Sequence, residues 1–299
     1  MIRMLLDTDL SLGDVGSEID DGFALAFALA EPDCRVELIT TVSGNVDAVT
    51  AARLTRGLLA TLGHSDIPVV AGATSASLGP PPKGSSGQAA IELVRRILES
   101  PGELTLVAIG PLTNVALALQ IEPTVAGAVR EVVAMGGIFF DQTHEHRQPG
   151  EFNFLCDPEA VNVVLDSGIP IRFVGRDVTE QVRFSRDDAR ALTAAGGKFA
   201  AAGSYALAWI ERLARENPGR TVDSCALHDP LALATAIHPG LCTFTMANVR
   251  VLVGDPAGRG VSLADLLAGD TAPAPNCRIA TDVDVAAFRE LFARRLGSL

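Results

Sequence analysis

Basic residues are scarce beside acidic ones. The 299-residue chain carries 24 Lys and Arg against 36 Asp and Glu, a formal net charge of −12. Such a surface repels phosphate backbones and anionic lipid, which argues against a nucleic-acid polymer or a membrane as partner. No apolar run reaches the roughly 18 residues of a membrane span. Residues 1–7 hold too short an apolar stretch for a signal peptide and lead straight into acidic residues. The five cysteines (Cys34, Cys156, Cys225, Cys242, Cys277) are scattered and include no C-x-x-C pair. Free, buried thiols in a reducing cytoplasm are therefore expected. The chain also lacks a Walker phosphate loop, a G-x-G-x-x-G after a strand and a G-x-S-x-G elbow. Aromatic residues are few, with one Trp, one Tyr and twelve Phe. Stacking of a planar ligand then falls to His228, a Phe, or Trp209 and Tyr205, whose spacing of four is more often that of a core pair.

What is present reads as a compact chain, 48% hydrophobic and 20% charged. Short β-branched runs at 3–6, 36–42, 68–71, 104–109, 129–135 and 171–174 predict strands. Longer amphipathic runs at 19–30, 46–62, 88–99, 114–120 and 158–165 predict helices between them. This alternation predicts an α/β fold with an open, mostly parallel sheet flanked by helices. After Asp177 the pattern turns to helices at 186–195, 199–216 and 230–237, late strands at 249–253 and 278–281, and a closing helix at 284–295. No linker or repeat divides the chain, so one domain over 1–299 is expected. The stretches 78–87 and 141–150 read as loops, which at strand ends of such sheets commonly carry function.

Asp7-Thr8-Asp9 ends the first strand, and Asp20-Asp21 opens the first helix. Four carboxylates converging near one strand end are unfavourable without a cation, and hard oxygen ligands select Ca²⁺ or Mg²⁺. The plainer reading is that Asp20 and Asp21 serve a helix N-terminus. His228-Asp229-Pro230 likewise suits a cap followed by proline, or an imidazole acting in acid–base chemistry. If the segment is extended, Glu151 and Asn153 point the same way and could hold vicinal hydroxyls, while Asp157 reads as a helix cap. Gly110-Pro111-Leu112-Thr113-Asn114 marks a strand-to-helix turn. His144-Glu145-His146 resembles a metal cluster only weakly.

The ordered set of motifs resembles the nucleoside hydrolase (inosine-uridine preferring) family. It runs from Leu6-Asp7-Thr8-Asp9 and Ile19-Asp20-Asp21 through Thr41-Val42-Ser43-Gly44-Asn45, Gly110 to Asn114, and Met135-Gly136-Gly137. It ends with Glu151-Phe152-Asn153-Phe154, Asp157-Pro158-Glu159-Ala160 and His228-Asp229-Pro230. The resemblance implies a Rossmann-like core and one Ca²⁺ per chain. It implies hydrolysis of the N-glycosidic bond of a small-molecule ribonucleoside, and assembly as a homodimer or homotetramer. By this likeness Asp9, Asp21 and Asp229 would bind the metal by side chain and Thr113 by its carbonyl. Asp9 would also be the base acting on the metal-bound water. Asp20 and Asn45 would hold the 2′-hydroxyl and the water. Glu151 and Asn153 would bind ribose hydroxyls, and His228 would protonate or stack on the leaving base.

Three departures stand out. The 10–19 loop is longer than usual and adds Asp14 and Glu18. Lys83-Gly84 stands where a His precedes Gly, and the loop before Glu151 offers His144 to Gln148 without an Asn. Both latter changes fall on the side expected to recognise the 5′ end of ribose, where Lys83 and Arg147 could accept an anionic substituent. Two other functions compete: a phosphatase using the Asp-x-Asp pair, which leaves Asn153 and His228-Asp229 unexplained, and a non-catalytic nucleoside- or sugar-binding protein.

Overall fold

A computed structural model describes residues 1–72, 87–140, 149–254, 256–267 and 272–299. In chain order the first half consists of β1 (Ile2–Thr8), α1 (Asp20–Ala30), β2 (Cys34–Thr41), α2 (Ala48–Leu62), β3 (Val69–Ala71), α3 (Gln88–Glu99), β4 (Leu104–Ala108), α4 (Thr113–Ile121), α5 (Val125–Ala128) and β5 (Glu131–Met135). Then come α6 (Phe152–Cys156), α7 (Pro158–Asp166), β6 (Ile171–Val174), α8 (Arg176–Thr179), β7 (Arg183–Ser185), α9 (Arg186–Ala195) and α10 (Ala201–Glu216). The last are β8 (Ser224–Ala226), α11 (His228–Ile237), β9 (Cys242–Val251), β10 (Ser262–Asp265), β11 (Cys277–Val283) and α12 (Val285–Leu296).

Nine strands form one sheet in the order β10-β9-β11-β6-β5-β4-β1-β2-β3. Every pairing from β11 across to β3 is parallel, while β9 pairs antiparallel with both β11 and β10. The sheet is therefore mixed but mostly parallel, as the alternation predicts. Its strands are continuous apolar runs because helices cover both faces. Side chains of one strand alternate between two cores. Met4 and Leu6 join α1, α11 and α12 on one face, and Leu5 joins α3, α4 and α7 on the other. Beyond the sheet, β7 and β8 form a small antiparallel ribbon.

Helix starts follow local chemistry. Asp47 accepts from the amides of Val49 and Thr50, so α2 begins at Ala48 rather than at residue 46. Asp157 caps α7 through the Ala160 amide, as expected. Two expectations fail. The late strand expected at 249–253 is β9, which begins at Cys242; it alternates polar and apolar residues as an antiparallel strand with one open face does. The segment 151–153 is not extended, because the Glu151 side chain caps α6. No helix among the described residues is long and apolar enough to cross a membrane.

The chain crosses outward from β1 to β2 and β3, then returns to β4 on the other side of β1. The order thus reverses at β1/β4, and the carboxyl ends of these two strands open a crevice there, where ligands bind in such sheets.

Candidate active site

A cleft of about 760 Å³ opens above this reversal. Asp9 leaves β1 there, and Ile109-Gly110 leaves β4. The backbones are pressed onto Asp9. A Cβ on Gly44 would lie 2.0 Å from Asp9 Oδ2, and one on Gly110 3.0 Å from Asp9 Oδ1, so these positions tolerate only glycine without displacing the carboxylate.

Asp9 Oδ2 accepts the Asn45 amide at 2.6 Å, and Asn45 Nδ2 donates to Asp21 Oδ2 at 3.2 Å. The Thr8 hydroxyl donates to the other Asp21 oxygen. Asp20 Oδ2 accepts the Asp229 amide at 3.1 Å. Oxygens of Asp20, Asp21 and Asp229 lie within 4.8 Å of one another, and all three residues are buried. Neither the Asp20-Asp21 pair nor Asp229 caps its helix: α1 and α11 have no side-chain cap bond, and the carboxylates gather with one another instead. The two helix N-termini meeting here offset part of the repulsion.

The electrostatics are unfavourable to the ionised forms. Burial raises Asp9 to about 7 against the stabilising Asn45 amide, with Glu18 and Asp20 adding to the rise. Burial raises Asp20 to about 6, while His228 draws it back. Asp21 and Asp229 lie well above the usual carboxylate range, from burial and then from their acidic neighbours. Several buried oxygens, with no cationic side chain bonded to them among the described residues, fit a hard divalent cation.

On the facing wall, Glu151 Oε1 accepts the amide of Asn153, and its Oε2 accepts those of Gly137 and Phe154, at 2.9–3.1 Å. Asn153 Nδ2 donates to the carbonyls of Ile109 (3.1 Å) and Met135 (3.3 Å), so its Oδ1 is the atom left for a ligand. The same cleft is lined by His228, with Nδ1 2.7 Å from the Thr179 hydroxyl, and by the chain Arg176–Glu180–Arg183. Trp209 also lines the cleft, with the Arg212 guanidinium 5.4 Å from the centre of its ring.

Of the residues singled out from sequence, Asp9, Asp20, Asn45, Glu151, Asn153, His228 and Asp229 line this cleft, and Asp21 joins the carboxylate group. Thr113 does not line it. Thr113 opens α4, and its hydroxyl donates to Asp157 at 2.6 Å; the residue that lines the cleft is Ile109, just before the motif. Asp7, expected with the other carboxylates, is taken by the Thr40 hydroxyl (2.5 Å) and Asn114 Nδ2 (2.8 Å) beside the sheet. Asp14 is exposed and accepts the Ser17 hydroxyl, whereas Glu18 lines the cleft. Lys83, Arg147 and the His144-Glu145-His146 run lie outside the described residues. The cleft residues that sequence reasoning missed include Arg176, Glu180 and Arg183. They sit just past the last regular α/β unit, where no motif flags them. All five cysteines are free, and burial pushes each thiol up to about 12.

The model of the family described as inosine-uridine preferring nucleoside hydrolase matches residues 4–290. The chain is 31% identical to uridine nucleosidase 1 of Arabidopsis thaliana, covering 83% of this chain and 78% of that one. It is 32% identical to a pyrimidine-specific ribonucleoside hydrolase of Citrobacter koseri, covering 93% and 95%. Among solved structures, a plant nucleoside hydrolase superposes with a TM-score of 0.86 at 29% identity, covering 100% of this chain and 99% of that one. A purine-preferring ribonucleoside hydrolase from Gardnerella vaginalis gives 0.84 at 25%, covering 99% and 98%.

Proposed function

This chain belongs to the inosine-uridine preferring nucleoside hydrolase family, and we propose that its cleft hydrolyses the N-glycosidic bond of ribonucleosides with the help of one Ca²⁺. The observation that carries the proposal is the juxtaposition of buried carboxylates with the Glu151–Asn153 wall in one cleft at the strand-order reversal.

In this reading Asp9, Asp21 and Asp229 would hold the cation. The Ile109 carbonyl takes the main-chain position that the motif alone suggested for Thr113. Bound there, the cation would supply Lewis acidity that makes a water more acidic. Asp9 is held by the Asn45 amide and flanked by Gly44 and Gly110. It takes the proton of that water, as a general base. Asp20 is bonded through one oxygen to the Asp229 amide and offers the other to the 2′-hydroxyl. Asn153 has its amide nitrogen spent on two carbonyls and presents Oδ1 to a ribose hydroxyl. Positive charge develops on the sugar as the bond to the base breaks, and fixed carboxylates stabilise it without reorganising. Fixing the ribose against Asp9 also sets the line of attack.

The test is base release from a panel of purine and pyrimidine nucleosides, including 5′-modified ones, each with Ca²⁺ and with a chelator. Chelator-sensitive release is expected. No release from any member with Ca²⁺ bound would overturn the proposal, and release indifferent to the chelator would remove the cation from it.

A further inference from the structure

The cleft also holds a cation that the hydrolysis described above does not use. Arg176 lines the cleft. Its Nε donates to Glu180 Oε1 at 3.2 Å. The other Glu180 oxygen accepts from Arg183 at 2.6 Å, and Arg183 is tied in turn to the Ser224 carbonyl at 3.0 Å. The fork is thus anchored by its inner nitrogen, while its two terminal amino groups have no partner among the described residues. Arg176 shares the cleft lining with Glu151 of the ribose wall and with His228, and its charge is felt by both. A guanidinium has donors only, stays charged, and suits a planar acceptor.

We propose that Arg176 is the leaving-base residue: its terminal amino groups donate to a carbonyl oxygen of an oxo-bearing nucleobase and stabilise the negative charge that reaches this oxygen as the bond to ribose breaks. The inference rests on the nucleoside hydrolase reading above. In the reaction a C1′–O bond forms to water and the C1′–N bond breaks. Its electron pair stays on the base nitrogen and delocalises onto the carbonyl oxygen. The proton lost by water ends on the base, and nothing is oxidised or reduced. Donors aimed at charge that appears only in the transition state raise kcat rather than ground-state affinity. Glu180 is then a positioning residue, holding the fork from behind.

The experiment compares wild type, Arg176→Leu and Arg176→Lys on inosine, on uridine and on 4-nitrophenyl β-D-ribofuranoside. The nitrophenolate is a stable anion and needs little help in leaving. Arg176→Leu should lower kcat/KM on the two nucleosides by roughly 100-fold, mostly through kcat, as loss of a single oxyanion donor does. That loss should exceed the loss on the nitrophenyl riboside at least tenfold. Arg176→Lys, which keeps the charge, should recover at least tenfold over the leucine variant. Equal losses on all three substrates would mark Arg176 as merely structural and overturn the inference, as would undiminished nucleoside turnover. A wild-type protein inactive on every riboside would instead overturn the hydrolase reading itself.

Discussion

Removing divalent cations with a chelator should leave a protein that loses stability as the pH rises from 5 to 7.5. Burial lifts Asp9 from 3.8 to about 7 and Asp20 to about 6, and it lifts Asp21 and Asp229 well above the ordinary range. A carboxyl whose folded-state value is raised contributes stability that is complete below its unfolded value. That contribution is lost as the pH climbs through the folded value. For Asp9 the window runs from about pH 4 to about pH 7. Two pH units within it, at ~1.4 kcal/mol each, amount to about 3 kcal/mol. His228 acts in the opposite sense below pH 6.5, because burial lowers its value, but it is one group against four. In a chain of this size about 3 kcal/mol lowers Tm by roughly 6 °C. The assay is thermal unfolding in excess chelator at several pH values, repeated with Ca²⁺. At pH 7.5, Ca²⁺ at a hundred times its Kd should restore about 2.7 kcal/mol. A chelated Tm that is flat or rises from pH 5 to 7.5, or a Tm indifferent to Ca²⁺ at pH 7.5, would refute the account of the carboxylate group.

Three further perturbations follow from the same geometry. Asp9→Asn should lower kcat on a cleaved nucleoside by about 10³-fold, as loss of a general base does; steady-state kinetics that show less than a tenfold loss would remove Asp9 from that role. Gly44→Ala places a methyl where Asp9 Oδ2 sits, so kcat should fall at least tenfold and Tm drop by a few degrees, with overpacking costing roughly 1–3 kcal/mol. Arg295→Met strips the buried Glu31 of bonds at 2.8 and 3.1 Å and should destabilise by about 3 kcal/mol in chemical denaturation. Its kcat should nevertheless stay within twofold of wild type, because Glu31 follows the C-terminal end of α1, about 16 Å from the acidic N-terminus.

Local patterns carried a good deal of this protein. Runs such as Met4-Leu5-Leu6 and Val132-Val133-Ala134 announce strands buried on both faces, because each successive side chain enters an apolar core. Asp157 before Pro158 announces a helix start through bonds that span only a few residues. The motifs that line the cleft were legible for the same reason, each being a short stretch at a strand end. What the sequence could not decide is which side chains those ends bring together. Asp20 meets the Asp229 amide across 209 positions because α1 and α11 pack side by side over the sheet. Asp7 looks like Asp9 in sequence, yet Thr40 from β2 and Asn114 from α4 claim it. Thr113 carries the motif, but the turn sends its hydroxyl to Asp157 and leaves Ile109 at the cleft. Glu18 and Asp14 are equivalent acids in one loop, and only packing puts the first in the cleft and the second in solvent. Arg176 has no motif around it; α8 and the anchoring pair with Glu180 give it its place. Element type follows from local propensity and periodicity, whereas a site is made by long-range packing, which brings distant strand and helix ends to one point in space.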